Sequence, residues 1–174
     1  NLDKIPFAIF PKKGGRAIDE LNEDLWKETG RLLGRVHNIG KTITDSGRIQ
    51  WQPSIATTTH LKTLKESQKI PENYQSVFTN AVNQFIQKAD LLFEQKESFL
   101  IHGDCHFGNI IYRPGESLYL VDFDDCVIGS PIQDLWMLLP DSVERCEKEI
   151  AWFEEGNSVF RTFPKTELSL IPAL

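Results

Sequence analysis

Two short stretches concentrate the reactive side chains of this chain: Ile101-His102-Gly103-Asp104-Cys105-His106-Phe107-Gly108-Asn109 and Val121-Asp122-Phe123-Asp124-Asp125. Polar groups this dense beside apolar residues are costly to bury unless a ligand or metal uses them. Transfer of a phosphoryl group to a hydroxyl needs such a set. It takes a carboxylate to accept the hydroxyl proton, an amide oxygen for a divalent cation, and a second carboxylate to bridge that cation to the phosphates. Asp104, Asn109 and Asp122 fit those roles in that order. Asn109 lies five positions after Asp104, and Asp122 thirteen after Asn109, on the far arm of a hairpin that turns at Pro114-Gly115. A hairpin of that size can bring Asn109 and Asp122 to one ion.

Other chemistry remains open on the same residues. Alternate residues of an extended strand point the same way, so His102, Asp104 and His106 could converge on a transition metal, with Asp122 or Asp124 completing a hydrolase site. A non-catalytic module that binds partners through the same surface is a third possibility. The flanking groups have plainer readings too. His106 suits orienting the loop by hydrogen bonds, and Asp124 and Asp125 are further ligands or solvated acids. Asp134 falls in the first turn of a helix, where the dipole favours any acid. Arg35 and His37, near a helix end, read as structural. Cys105 has no evident activating base and reads as packing.

The elements that must position these residues follow from periodicity. Leu21, Leu25, Leu32, Leu33 and Val36 recur at helical spacing, with Gly40 as a stop, which predicts a helix from about Leu21 to His37. Trp51 to Thr63 shows no clear period and is expected to be irregular. Pro71 opens the clearest helix: Tyr74, Val77, Phe78, Ala81, Val82, Phe85, Ala89, Leu92 and Phe93 form one face, as a central core helix would. Three short apolar runs follow, Phe99 to Ile101, Asn109 to Tyr112 and Ser117 to Phe123. Ser130-Pro131-Ile132-Gln133 matches a capping box, and Asp141 with Glu144 a second cap before a helix carrying Val143, Cys146, Ile150 and Phe153. An α+β domain dominated by helix is the result.

Bulk properties narrow the setting. The 174 residues are 40% hydrophobic, enough for one core. No run approaches the roughly 18 apolar residues of a membrane span, and a basic-then-apolar leader is not visible, so a cytoplasmic protein without a membrane partner is the expectation. Three cysteines without C-x-x-C spacing argue against a disulfide scaffold or structural zinc. A formal charge of −6 with no basic run argues against a nucleic-acid surface.

The order His102-Gly103-Asp104 with Asn109, then Asp122-Phe123-Asp124, follows the kinase catalytic loop and metal-binding segment, with glycine for arginine. It resembles the aminoglycoside phosphotransferase and choline kinase superfamily. The blocks Phe10-Pro11, Gly14-Gly15-Arg16, Gly34-Arg35-Val36-His37, His102 to His106, Val121 to Asp125 and Gln133-Asp134-Leu135-Trp136-Met137-Leu138-Leu139 more closely resemble the bacterial stress response kinase A family. The resemblance implies an ATP- and Mg²⁺-dependent serine/threonine protein kinase, linked to stress responses, with an aminoglycoside-phosphotransferase-like fold. By position, Asp104 would be the base, Asn109 and Asp122 the Mg²⁺ ligands, and Asp134 a brace on the backbone amides of the catalytic loop, with His102, His106 and Asp124 in support. A small-molecule kinase for an aminoglycoside, choline or homoserine hydroxyl is the chief alternative. The likeness runs from 1 to 174 as a helical C-terminal lobe truncated at both ends, with 1–16 as the hinge. The upstream lobe that would carry the ATP-pairing lysine has no counterpart, and neither Lys12 nor Lys13 is read as that lysine. The piece alone is expected to be inactive.

Overall fold

The computed structural model describes residues 9–12, 14–18 and 20–174. The expected extended stretch at Pro6–Pro11 and the hinge at 1–16 lie partly outside these, as does Lys13.

Helix α1 (Glu23–Gly40) begins where the sequence supplies a cap: Asn22 Oδ1 accepts the Leu25 amide (3.0 Å), and Glu23 and Asp24 face the positive end of the dipole. Its buried face is Trp26, Thr29, Gly30, Leu33 and His37. That face lies against α5 (Glu147–Asn157) at backbone contact. A Cβ on Gly30 would come within 2.2 Å of the Phe153 carbonyl oxygen, and one on Gly156 within 1.9 Å of that of Lys27. The two glycines let the helices approach more closely than any side chain would allow. Around this contact the core gathers Trp26, Leu33, Ile110, Leu135, Leu138 and Phe153.

Two further helices differ from expectation. Residues 51–63 are not irregular: α2 (Ala56–Glu66) occupies most of that stretch. It buries only Ala56 and Leu61, and the Thr59 and Thr63 hydroxyls bond back to the carbonyls of Ile55 (2.7 Å) and Thr59 (3.0 Å). So thin a buried stripe leaves little periodic signal. Helix α3 (Gln75–Phe93) forms as predicted, but it is not a core helix. Ala89 is its one buried residue, while Tyr74 before it is 60% exposed and Val77 70%. It packs by one edge on α2 and on the 3-10 segments Glu72–Tyr74 and Lys165–Ala173, and Val77, Phe78, Phe85, Leu91 and Leu92 of its apolar residues stay exposed.

The β region comprises two antiparallel pairs. Strand β2 (Ile110–Arg113) pairs with β3 (Ser117–Leu120), Ile110 opposite Leu120. Pro114 and Gly115, the latter at φ +79°, form a turn closed by the Glu116 amide on the Arg113 carbonyl (3.0 Å), the residue placement of a type II turn. Strand β1 (Phe99–Ile101) pairs with β4 (Val127–Gly129), which periodicity did not reveal. Gln50 adds a parallel bridge to Ile128 on the free side of β4. Helix α4 (Gln133–Trp136) follows, without the expected reciprocal capping box: the Ser130 hydroxyl accepts the Ile132 amide (3.3 Å) and donates to Glu167 (2.6 Å), while the Gln133 side chain turns to the Gly103 carbonyl. Asp141 caps only Ser142 (2.7 Å), and Val143 lies in a 3-10 turn before α5 begins. The architecture is the α+β, mainly helical lobe with a hairpin at the reactive loop. No helix among the described residues is long and apolar enough to cross a membrane.

Candidate active site

β1 runs directly into the reactive loop. Gly103 sits at φ +84°, and a Cβ there would lie 2.4 Å from the Asp125 carbonyl oxygen, so this position excludes every side chain, arginine included. His102 is fully buried with both ring nitrogens engaged: Nε2 donates to the Val121 carbonyl (2.9 Å) and Nδ1 accepts the Asp104 amide (3.3 Å). The ring is therefore committed to backbone and closed to a metal. Phe123 meets it edge-on at 4.8 Å.

The loop brings Asn109 onto Asp104, and the β2–β3 ladder sets Val121, the neighbour of Asp122, opposite Asn109. Asn109 Nδ2 donates to the Asp104 carbonyl (2.9 Å) and to Oδ2 of its carboxylate (3.2 Å). This fixes which way the amide points and leaves Asn109 Oδ1 with no hydrogen bond among the described residues. His106 Nδ1 accepts the Gly108 amide (3.0 Å), so Nε2 carries the proton and faces Asp104 Oδ2 at 3.5 Å. Oδ1 of Asp104 is left uncommitted among the described residues. The Val121 amide extends the ladder by bonding the Asn109 carbonyl (3.0 Å), so Asp122 emerges beside Asn109. Asp122 has φ +62°, rare for a residue with a side chain, and its exposed carboxylate has no partner among the described residues. One amide oxygen and one carboxylate, both free and both hard, suit a Mg²⁺-like cation.

The loop is held from beneath by Asp134, which is 0% exposed. Its Oδ1 accepts the Gly103 amide (2.8 Å) and its Oδ2 the His102 amide (3.0 Å). Beside Asp104 opens a cavity of about 400 Å³, also lined by Arg48, Trp51, Asp124, Asp125 and Cys126. Arg48 donates to the Asp124 carbonyl. Arg48 and Gln133, whose amide reaches the Gly103 carbonyl (3.3 Å), carry no sequence signal of their role. Burial, with the Asp134 and Asp104 charges adding to it, pushes the Cys105 thiol well above its ordinary range, so it stays protonated packing. Among the described residues no three His, Cys, Asp or Glu side chains converge as a metal cluster, and the His102-Asp104-His106 alternative is not assembled.

A sequence model of the phosphotransferase enzyme family matches residues 1–163. The chain belongs to that family. Stress response kinase A of Shigella flexneri is 34% identical over 175 residues, covering 97% of this chain and 51% of the relative. The serine/threonine protein kinase RdoA of Salmonella typhimurium is 31% identical over 173 residues, with the same shares covered. Among solved structures, amicoumacin kinase hAmiN in complex with AMP-PNP, Ca²⁺ and Ami superposes with a TM-score of 0.68 at 25% identity, over 93% of this chain and 51% of that one. This phosphotransferase chain thus spans about half the length of the curated relatives it matches.

Proposed function

We propose that this chain carries the base and the cation-binding half of an ATP-dependent kinase, with Asp104 as the general base and Asn109 and Asp122 as the ligands of Mg²⁺. The observation that carries this reading is the Asn109 amide locked onto Asp104, with its oxygen and the Asp122 carboxylate both without a hydrogen bond among the described residues. Asp104 would take the acceptor hydroxyl's proton on Oδ1. Asn109 and His106 steady Oδ2 meanwhile, so the carboxylate need not reorganise as the proton moves. Asp134 holds the loop amides, and with them the height of Asp104 over the cavity. A bound divalent cation would supply charge neutralisation on the phosphates of ATP. The relatives' names favour a serine or threonine hydroxyl of a protein as acceptor and a role in stress responses.

A small-molecule hydroxyl is the second reading, favoured by the amicoumacin kinase likeness and by the cavity beside Asp104. The test uses the full-length protein with radiolabelled ATP. Asp104→Asn should keep the fold and nucleotide affinity while losing most turnover, because the loss falls in the transition state. Near-normal turnover of that variant excludes Asp104 as the base. Label recovered on protein or on small molecules separates the two acceptor readings.

A further inference from the structure

We infer that His37, oriented by Arg161, is a positioning residue for phosphoryl transfer, acting through Asp134 on the loop that carries Asp104. The inference rests on the assignment of that loop given above. His37 stands on α1, 97 residues from Asp134 in sequence, yet its Nε2 lies 2.9 Å from Asp134 Oδ2, and it is only 1% exposed. A carboxylate only accepts, so Nε2 must carry the proton. Nδ1 is then an acceptor, and Arg161 Nη1, which can only donate, faces it at 3.4 Å. Arg161 therefore selects the tautomer that donates to Asp134.

The guanidinium is itself fixed. It pairs with Glu97, which also pairs with Lys41, and it lies 5.0 Å over the Phe99 ring. The same ring meets His37 edge-on at 5.6 Å. Phe99 opens β1, the strand that delivers His102. The buried Asp134 carboxylate thus receives a third donor, the second on Oδ2, whose direction is set from the protein surface inward. Two backbone amides alone would leave the carboxylate free to swing with the loop that it is meant to hold. The His37 donor ties it to α1, whose place is set by the glycine contact with α5. A purely structural histidine would add stability without regard to turnover. A positioning histidine would lower kcat when lost and leave nucleotide binding alone.

The test is made in the full-length protein, with Asp104→Asn as the inactive reference, by measuring kcat, KM for ATP and hydrogen exchange at the Gly103 amide. His37→Ala should lower kcat by about tenfold to a hundredfold, with KM for ATP within about twofold, since loop misplacement on the ångström scale costs that much. The Gly103 amide should exchange faster than the change in global stability explains. His37→Gln, whose amide nitrogen can donate where Nε2 does, should recover most of kcat. Arg161→Met should fall between wild type and His37→Ala. If His37→Ala does not fold, Arg161→Met decides alone: slower turnover with faster Gly103 exchange supports the brace, and unchanged values overturn it. A kcat of His37→Ala within twofold of wild type, or His37→Gln no better than His37→Ala, also overturns it. An active Asp104→Asn would bring down the loop assignment instead, whereas an inactive Asp104→Asn beside an unimpaired His37→Ala rejects the brace alone.

Discussion

Replacing Gly103 by alanine separates two costs that the structure keeps apart. The left-handed backbone at φ +84° should cost an alanine about 1–2 kcal/mol. Its Cβ would also stand 2.4 Å from a backbone oxygen, that of Asp125, which no rotamer change can move away. Forcing the loop apart should add about 1–3 kcal/mol. The Gly115→Ala variant provides the control, because φ is +79° there and a Cβ meets nothing within 4 Å. Only the first cost should appear. Urea unfolding followed by circular dichroism, with m unchanged, should place Gly103→Ala below Gly115→Ala by about 1–3 kcal/mol. In a chain of this length that difference lowers Tm by roughly 2–4 °C for each kcal/mol. Equal losses in the two variants would show that the Asp125 carbonyl yields, and would refute the steric account of glycine in this loop.

Two more outcomes are expected. In the full-length protein, Asp122→Ala should abolish the part of ATP binding that depends on Mg²⁺; calorimetric titrations showing the wild-type enhancement would move the ligand role to Asp124 or Asp125. Cys105 is held well above its ordinary value of 9.0, chiefly by burial, so the unfolded chain releases that proton at lower pH than the folded one. Its stabilising share is complete below about pH 9 and declines as pH rises above that. Cys105→Ala should therefore flatten the alkaline slope of unfolding free energy, and an unchanged slope would place the proton elsewhere.

The proximity of Asp104 and Asn109 was legible because their spacing is short and fixed, and the Asn109 amide does return to the Asp104 carboxylate. The hairpin was legible for a similar reason, since Pro114-Gly115 has a local stereochemical meaning. What escaped depends on distant partners. β4 is three residues long and exists because β1 lies beside it. α2 has two buried residues and back-bonded threonines in place of an apolar stripe. The face of α3 reads as core because periodicity reports amphipathicity, not which neighbour is present to cover it. Arg48 could not be singled out either, because only the fold brings it 76 positions along the chain to the Asp124 carbonyl.

The bridge at Gln50 bears on how acceptor choice can change. Residues 49–51 are stitched to β4, the Trp51 amide on the Ile128 carbonyl and the Ile128 amide on the Ile49 carbonyl, and β4 is stitched to β1, the strand that leads into the Asp104 loop. The stretch just before, Thr42 to Arg48, is largely exposed and anchored at both ends, by α1 and by this bridge. It borders the cavity at Gly47 and Arg48, and Arg48 alone of this stretch is seen to reach the reactive segment, at the Asp124 carbonyl, among the described residues. If the proposed assignment of Asp104 holds, changes of length or composition there would alter the rim of the cavity beside Asp104, as in an interchangeable cassette, while Asp104 kept its place. On the proposed assignment, the rim and the base would thereby rest on separate stretches of chain, joined at Arg48.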